Sequence, residues 1–239
     1  MPVAEDISTT EYISGTNYKE PTTITGNYGT DCDALSSSLT MAECEDIDGN
    51  GIIELSDFEA ELKNNYKAMA ESVNKYDGFY VGRFETSMNG SNPQSKRSTY
   101  ASGSGELIES ATAAGNTWYD LYALNKKYST SSVQGSMIWG IQYDKMMSWM
   151  VDAANTTISG YNTNRTCGTA PDDVIKNVYD LYGNSSEWTV EAYDTYYRVW
   201  RGGNYQGNVT PKSRFWGAGT MPNNGAASGT GSRLALYIV

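Results

Sequence analysis

The last part of the chain, from Asn177 to Val239, consists of short aromatic segments separated by glycines and small polar residues. Such punctuation predicts turns and loops at close intervals. The whole chain carries 24 glycines together with many Asn, Ser and Thr residues. We therefore expect a loop-rich α+β fold and not a helical bundle.

Three stretches have the spacing of amphipathic helices. Ser56 and Glu59 form a capping-box signature, which predicts a helix over 56–74. Its apolar residues recur at three- and four-residue steps and predict a buried stripe: Phe58, Leu62, Tyr66, Met69, Val73 and Tyr76. Helical spacing also covers Thr117–Lys127 and Gln142–Ala154. In the last helix the expected core residues are Met146, Met147, Trp149 and Met150.

Two further stretches have the composition of strands. Gly78–Ser87, with the sequence GFYVGRFETS, alternates and is rich in aromatic and β-branched residues, which predicts a strand. Leu234–Val239, with the sequence LALYIV, predicts a closing strand that is buried on at least one face. The first 33 residues are polar and have no sustained period, which predicts an extended lead-in.

The charge of the chain restricts its partners. The net charge is −11 and no run of Lys or Arg is present, so we expect no binding to nucleic acid. No apolar run reaches the roughly eighteen residues of a membrane span, and the first thirty residues lack a signal-peptide core. We expect no membrane insertion. Either the chain acts where it is made, or it is a piece of a longer protein whose address lies elsewhere.

The absence of histidine removes several kinds of chemistry. The chain contains no histidine, and imidazole is both the commonest general base near neutral pH and the commonest transition-metal ligand. Ser-His-Asp, Cys-His, zinc-histidine and two-histidine iron sites are therefore excluded. Cys32, Cys44 and Cys167 stand at unrelated spacings and define no disulfide framework. Cys32 and Cys44 either pair or remain small loop thiols.

The stretch EDIDGNGIIELSDFEAEL, Glu45 to Leu62, matches the calcium loop of an EF-hand. Alternate oxygen ligands, a glycine at position six (Gly51) and a backbone carbonyl at position seven fit a calcium ion. The predicted ligands are Asp46, Asp48, Asn50, Ile52, Glu54 and Asp57. Because only one such loop is present, we expect a structural and not a sensory calcium. The alternative is an acidic turn that precedes the helix and binds no ion.

Four segments, taken in order, resemble one protein family. GFYVGRFETS is similar to the family's opening strand, and NVYDLYGNSSEWT, Asn177 to Thr189, is similar to N-V-W-D-x-x-G-N-x-x-E-W. RVWRGGNYQG, Arg198 to Gly207, resembles R-V-x-R-G-G-S-W, and GSRLALYI, Gly231 to Ile238, resembles the terminal G-F-R strand. The family is that of the sulfatase-modifying, formylglycine-generating enzymes, a loop-rich subclass of the C-type lectin fold. The resemblance covers roughly Gly78–Val239.

The resemblance implies scaffold roles for the motif residues. Gly202 and Gly203 would permit a bend that side chains would block. Asn184 and Glu187 would either tie loop backbone together or hold a structural calcium. Arg233 would satisfy buried carbonyls through its planar fork. Two aromatic residues of the motifs are expected in the core: Trp188 and Tyr205.

The chain departs from the family's catalytic pattern. The oxidases of this family bind copper through two cysteines between the R-G-G and G-F-R motifs, and Tyr205–Thr230 contains none. Related iron-dependent members need histidines, which are absent. We therefore expect neither copper nor iron and no enzymatic activity. An oxidase with a displaced copper site that uses Cys167 remains an alternative.

The same fold occurs in the variable proteins of diversity-generating retroelements, whose C-terminal segment is a mutable ligand-binding surface. The resemblance implies a non-enzymatic receptor-recognition protein whose ligand is a protein or a glycan on a cell surface, and it is compatible with a place on a phage virion or a bacterial surface. Phe215 and Trp216 are adjacent in a predicted loop, where both cannot easily join one core. The predicted ligand-binding residues are Asn204, Gln206, Asn208, Thr210, Lys212, Phe215, Trp216, Thr220, Asn223 and Asn224.

The predicted organisation has three parts. Residues 1–44 form the extended lead-in, and residues 45–77 form the EF-hand-like loop and helix, packed on the main domain. Residues 78–239 form the C-type lectin-like domain, with a candidate variable region at 198–239. A third functional hypothesis is a bacterial surface module in which the calcium loop stiffens an interdomain junction.

Overall fold

The computed structural model describes residues 55–89, 92–95, 118–154, 167–169, 174–181, 183–192, 198–202, 215–216 and 230–239. The helices in these ranges are α1 (Leu55–Tyr76), α2 (Trp118–Lys126) and α3 (Gly140–Ala154). The strands are β1 (Tyr80–Val81), β2 (Thr86–Asn89), β3 (Asn92–Ser95), β4 (Val133–Met137), β5 (Val174–Ile175), β6 (Val178–Tyr179), β7 (Ser186–Ala192), β8 (Arg198–Arg201), β9 (Phe215–Trp216), β10 (Thr230–Ser232) and β11 (Leu234–Ile238). Helices combined with several small sheets make the fold α+β, as predicted.

The helix predicted over 56–74 is confirmed as α1, which begins one residue earlier and ends at Tyr76. Leu62, Met69 and Val73 have no solvent exposure, because residues three and four apart lie on the same face of a helix. This face packs against Trp139, whose ring meets that of Tyr66 edge to face at 5.3 Å.

The other two predicted helices are also confirmed, as α2 and α3. The backbone N–H of Trp139 donates to the side-chain carbonyl of Gln142 at 3.1 Å, which caps the start of α3. Trp149, by contrast with its neighbours, is only partly buried. The methionines of α3 fill a second apolar cluster, as expected: Met146, Met147 and Met150.

A three-stranded sheet in the order β1-β11-β4 lies beside α1, and β11 is antiparallel to both neighbours. The predicted closing strand is confirmed as β11 and occupies the centre of this sheet. Leu234, Ala235 and Tyr237 are buried, while Ile238 near its end is partly exposed. A central position explains why this strand is more apolar than a half-solvated edge strand would be.

The single strand predicted over Gly78–Ser87 is wrong. The stretch forms two short strands, β1 and β2, which belong to different sheets. Gly82 lies between them, and a Cβ there would come within 2.8 Å of the hydroxyl oxygen of Ser95. Gly82 also donates its N–H to the carbonyl of Leu234 at 2.7 Å and leads the chain away from β11 towards Glu85, which is buried.

No helix in the described ranges is both long enough and apolar enough to cross a membrane.

Candidate functional site

A four-stranded sheet in the order β10-β7-β8-β9 frames the segment that the sequence predicts as a binding face. β8 is antiparallel to β7, β9 is antiparallel to β8, and β10 is parallel to β7. In chain order β8, β9 and β10 follow one another, and all three belong to this sheet. Residues 203–214 and residues 217–229 are therefore each attached at both ends to the same sheet.

Arg201 fixes the end of β8. Its side chain is fully buried, forms an ion pair with Asp144 of α3, and stands 4.9 Å from the ring centre of Tyr143. The Tyr143 hydroxyl donates to the carbonyl of Leu181 at 3.2 Å. Burial raises the pKa of Tyr143, so this hydroxyl stays protonated and remains a donor. These contacts attach the end of β8 to α3.

Gly202 accounts for the first of the paired glycines that follow β8. Its φ is +84°, a region that favours glycine, and a Cβ there would lie 3.0 Å from the carbonyl oxygen of Leu181. Its own carbonyl accepts a hydrogen bond from the N–H of Gly183 at 3.0 Å. The bend predicted at Gly202 is confirmed, whereas Gly203 lies outside the described residues.

Arg233, between β10 and β11, has no solvent exposure and joins three parts of the chain. Its Nε donates to Glu187 Oε1 at 2.9 Å, and its Nη2 pairs with the same carboxylate. Nη1 donates to the carbonyl of Gly82 at 2.9 Å, and Nη2 donates to that of Tyr179 at 2.8 Å. The prediction that Arg233 satisfies buried carbonyls is therefore confirmed.

Asn184 and Glu187 both make contacts inside the protein. Asn184 adopts a left-handed conformation with φ of 55°, and its Nδ2 donates to Glu85 Oε2 at 3.0 Å. The N–H of Ser185 donates to the other oxygen of Glu85 at 3.1 Å. Burial raises the pKa of Glu187, and the ion pair with Arg233 opposes that shift. These contacts agree with the predicted tie between loop backbones. Trp188, next in the motif, is in the core as predicted, and Tyr205 lies outside the described residues.

Three side chains with metal-ligating atoms meet in the interior: Glu85, Cys167 and Asp180, whose ligand atoms lie within 4.8 Å of one another. The Cys167 thiol donates to Asp180 Oδ2 at 3.1 Å, and the N–H of Gly168 donates to the same oxygen at 2.5 Å. Burial raises the pKa of the Cys167 thiol far above its ordinary value, and the two carboxylates raise it further. Cys167 is therefore a protonated hydrogen-bond donor at neutral pH.

This geometry does not fit a copper site at Cys167. Copper binding and oxygen activation need a thiolate that metal and oxygen can reach, whereas this thiol is 3 % exposed. The oxidases that the sequence resembles supply two cysteines, and within the described ranges Cys167 has no second cysteine beside it. The observation counts against the oxidase alternative.

Sequence reasoning misses two residues of this scaffold, Glu85 and Asp144. Their partners are distant along the chain: Asn184 is 99 residues from Glu85, and Arg201 is 57 residues from Asp144. Asp144 lies in the apolar helical stretch QYDKMM, and a charged residue in a buried element is normally paired. The sequence could therefore have predicted that Asp144 forms an ion pair, although not with which residue.

The structure describes two of the predicted ligand-binding residues, Phe215 and Trp216. The expectation that they lie in a loop is wrong, because they form β9, with Phe215 opposite Trp200 and Trp216 opposite Val199. The remaining predicted ligand-binding residues lie outside the described ranges: Asn204, Gln206, Asn208, Thr210, Lys212, Thr220, Asn223 and Asn224.

The predicted calcium loop falls almost entirely outside the described residues. Asp57, its twelfth position, lies in the first turn of α1. The other predicted ligands lie before the described part of the chain: Asp46, Asp48, Asn50, Ile52 and Glu54.

The similarities of this chain to known proteins are found among solved structures. No family model matches the chain, and no curated protein matches it. Among solved structures the chain is similar to Treponema denticola variable protein 1, with a TM-score of 0.31 and 15 % sequence identity. The match covers 70 % of this chain and 65 % of that chain, so it spans slightly less than two thirds of the length of the solved protein. A similarity at this level assigns neither a fold family nor a function.

Proposed function

We propose that this chain is a non-enzymatic ligand-binding protein whose segment 203–229 is a mutable recognition face on a C-type lectin-like scaffold. The observation that carries the proposal is the attachment of both halves of this segment to one sheet through β8, β9 and β10. A loop held at both ends by a rigid scaffold can change its residues without losing its position.

Two ion pairs among the described residues anchor the frame on either side of the segment. The fully buried Arg201 pairs with the partly buried Asp144, and Arg233 pairs with Glu187 in the interior, so both ends are held by ion pairs. Because removing one partner of a buried pair costs several kcal/mol, such residues resist change while the segment between them tolerates it. This division between a constant frame and a replaceable face is what a variable protein requires.

Phe215 and Trp216 are proposed as the aromatic part of the face. They form the last strand in the order β10-β7-β8-β9, and adjacent residues of a strand belong to opposite faces. The proposal places one of the two on the recognition face. The ligand is proposed to be a protein or a glycan on a cell surface, bound through aromatic and amide contacts.

The retroelement origin has a genomic test. A diversity-generating retroelement places a reverse-transcriptase gene near the variable gene, together with a near-copy of its variable coding stretch. We expect such a copy of the Arg198–Val239 coding stretch, with differences concentrated at adenines. If neither the copy nor the reverse transcriptase is present, the retroelement proposal is wrong, and the surface-module hypothesis is favoured.

The mutable face has a selection test with a matched control. Two display libraries are selected on lysozyme, which serves as an arbitrary protein target. The first library randomises Asn204, Gln206, Asn208, Thr210 and Lys212. The control library randomises five exposed residues of α1: Asn64, Lys67, Glu71, Asn74 and Lys75. We expect binders at least about ten times more often in the first library. The reason is that its randomised residues lie in the proposed recognition face, where replaced side chains can contact a ligand while the scaffold stays the same.

Two results would contradict the mutable face. One is equal recovery of binders from both libraries. The other is a loss of folding in most members of the first library, measured by resistance to proteolysis on the display particle. In the parent protein, Phe215→Ala combined with Trp216→Ala tests the aromatic part, because unfolding of that variant assigns both residues to the core.

The Asp46 loop is proposed to bind a structural calcium ion. We expect EDTA to lower the Tm by about 5 °C or more, since an ion at a hundred times its Kd stabilises by about 2.7 kcal/mol and each kcal/mol is worth about 2–4 °C in a chain of this size. Added calcium should restore the Tm, and Asp46→Ala with Asp48→Ala should abolish the EDTA effect. An unchanged Tm in EDTA favours the acidic turn that binds no ion.

A further inference from the structure

A pocket of about 240 Å³ lies between the start of the three-stranded sheet, the second half of α3 and the β5–β6 hairpin. None of its lining residues belongs to the four-stranded sheet that frames the proposed recognition face. Its apolar part includes Phe79, Met146, Trp149, Met150 and Val178. Since an apolar cavity of about 150 Å³ accepts benzene, this pocket has room for a larger aromatic ring system or a short alkyl chain.

The pocket is lined by cations although the chain is strongly acidic. Arg83, Lys145 and Lys176 line it, and its described lining includes no Asp or Glu. Arg83 and Lys176 are exposed, and neither forms an ion pair with a carboxylate among the described residues. In a protein with a net charge of −11, the positive charges of Arg83 and Lys176 beside an apolar cavity favour an anionic ligand.

Arg83 is held in place by the hairpin. Its carbonyl accepts the N–H of Tyr179 at 2.8 Å, and its Nε donates to the carbonyl of Asn177 at 3.2 Å. Its guanidinium also lies over the stacked rings of Phe84 and Tyr179, at 5.5 and 5.9 Å from their centres. The two Nη groups have no hydrogen-bond partner within the described part of the chain. A fixed guanidinium fork with unused donors suits a carboxylate.

Lys176 also lines the pocket, and its backbone adopts a costly conformation. Lys176 and Asn177 form the two-residue turn between β5 and β6, with φ of 52° and 67°. Such turns favour Asn and Gly, and a left-handed lysine costs on the order of 1 kcal/mol. The Lys176 ammonium lies 5.9 Å from the ring centre of Trp149, which lines the pocket. The turn therefore holds a cation beside an aromatic wall.

We propose that this pocket binds an organic carboxylate attached to an apolar ring or short chain, with the apolar group against Trp149 and Met150 and the carboxylate between Arg83 and Lys176. A single negative charge is favoured over a phosphate because the overall field of the protein repels multiply charged anions. This proposal uses no residue of the proposed recognition face, so its failure leaves that proposal unaffected.

The test uses the full chain and isothermal titration with 1-naphthylacetate and its neutral analogue 1-naphthylacetamide. We expect the acid to bind at least about ten times more tightly than the amide, with the difference shrinking in high salt. Lys176→Glu and the gentler Lys176→Gln should weaken binding of the acid, the former by about fivefold or more, and should leave binding of the amide unchanged.

The matched control is Lys127→Glu, which makes the same charge change at an exposed residue after α2, beside the opposite edge of the β1-β11-β4 sheet. It should change the Kd of the acid by less than about twofold. Equal binding of acid and amide, an equal effect of the two charge reversals, or no binding of the acid overturns the proposal. Tighter binding of 1-naphthyl phosphate than of the acid overturns the choice of a carboxylate.

The same carboxylate chemistry has two sources, a free aromatic acid and the C-terminal aromatic residue of a peptide. Gly-Gly-Trp with a free C-terminus and its C-terminal amide distinguish them. Binding of the free peptide at least as tight as that of 1-naphthylacetate, lost on amidation, assigns the pocket to peptide C-termini. Binding of the small acid alone assigns it to free acids.

Discussion

Arg233→Met is expected to lower the free energy of unfolding by about 3–5 kcal/mol, because it leaves the Glu187 carboxylate buried without its cation. It also removes the donors to the carbonyls of Gly82 and Tyr179. For a chain of this size the loss corresponds to a fall in Tm of about 6–20 °C. Urea unfolding and calorimetry measure both quantities.

A double variant separates the ion pair from the hydrogen bonds to the backbone, and a variant at the surface serves as the control. Adding Glu187→Gln to Arg233→Met should restore part of the loss, since a neutral amide costs less to bury than an unpaired carboxylate. Lys75→Met, at an exposed residue of α1, should change stability by less than about 0.5 kcal/mol. A loss below about 1 kcal/mol in Arg233→Met would show that the pair does not hold the frame.

The free energy of unfolding is expected to fall steeply above about pH 9, because buried thiol and phenol groups keep their protons in the folded chain and lose them in the unfolded chain. The pKa values of four buried groups lie far above their ordinary values, mainly because burial disfavours the charged form: Cys167, Tyr122, Tyr143 and Tyr237. Above their unfolded pKa values the unfolded chain releases these protons while the folded chain keeps them. Each group then lowers the free energy of unfolding by about 1.4 kcal/mol per pH unit, and together the four groups lower it by on the order of 7 kcal/mol at pH 11.

Urea unfolding at pH 8, 9, 10 and 11 in the presence of a reductant measures this dependence. Cys167→Ala should reduce the slope between pH 9 and 11 by about 1.4 kcal/mol per unit, because one retained proton is removed. Tyr143→Phe should reduce it above pH 10, while Tyr80→Phe, at a tyrosine that is 61 % exposed, should not. An equal free energy of unfolding at pH 8 and pH 11 would contradict the buried protonated state of these groups.

The helices were predictable because their information is local. The capping-box pattern of Ser56 and Glu59 and the apolar steps that follow are contained within one segment, and α1 differs from its prediction by one residue at the start and two at the end. The same reasoning located α2, α3 and the closing strand β11. Each of these elements buries a face that its own sequence already marks as apolar.

The strand over Gly78–Ser87 was not predictable in the same way. Its alternation continues through Gly82, but the tertiary structure requires the chain to leave β11 there. Phe215 and Trp216 show the opposite error, since a stretch without strand periodicity became β9 through pairing with β8. In both places the formation of a strand depends on hydrogen bonds to a partner strand that is distant in sequence. The local pattern of residues carries no information about that partner.

The sequence by itself determined the α+β class, the three helices, the closing strand and the place of Arg233 as a donor to buried carbonyls. Only the tertiary structure decided which carboxylates hold the frame, because Arg201 meets Asp144 and Arg233 meets Glu187 across separate elements. It alone brought Cys167 and Asp180 into contact and gathered the cations of the pocket around Trp149. Periodicity reports which face of an element is buried, whereas the pairing of charges depends on the distances that folding sets between segments.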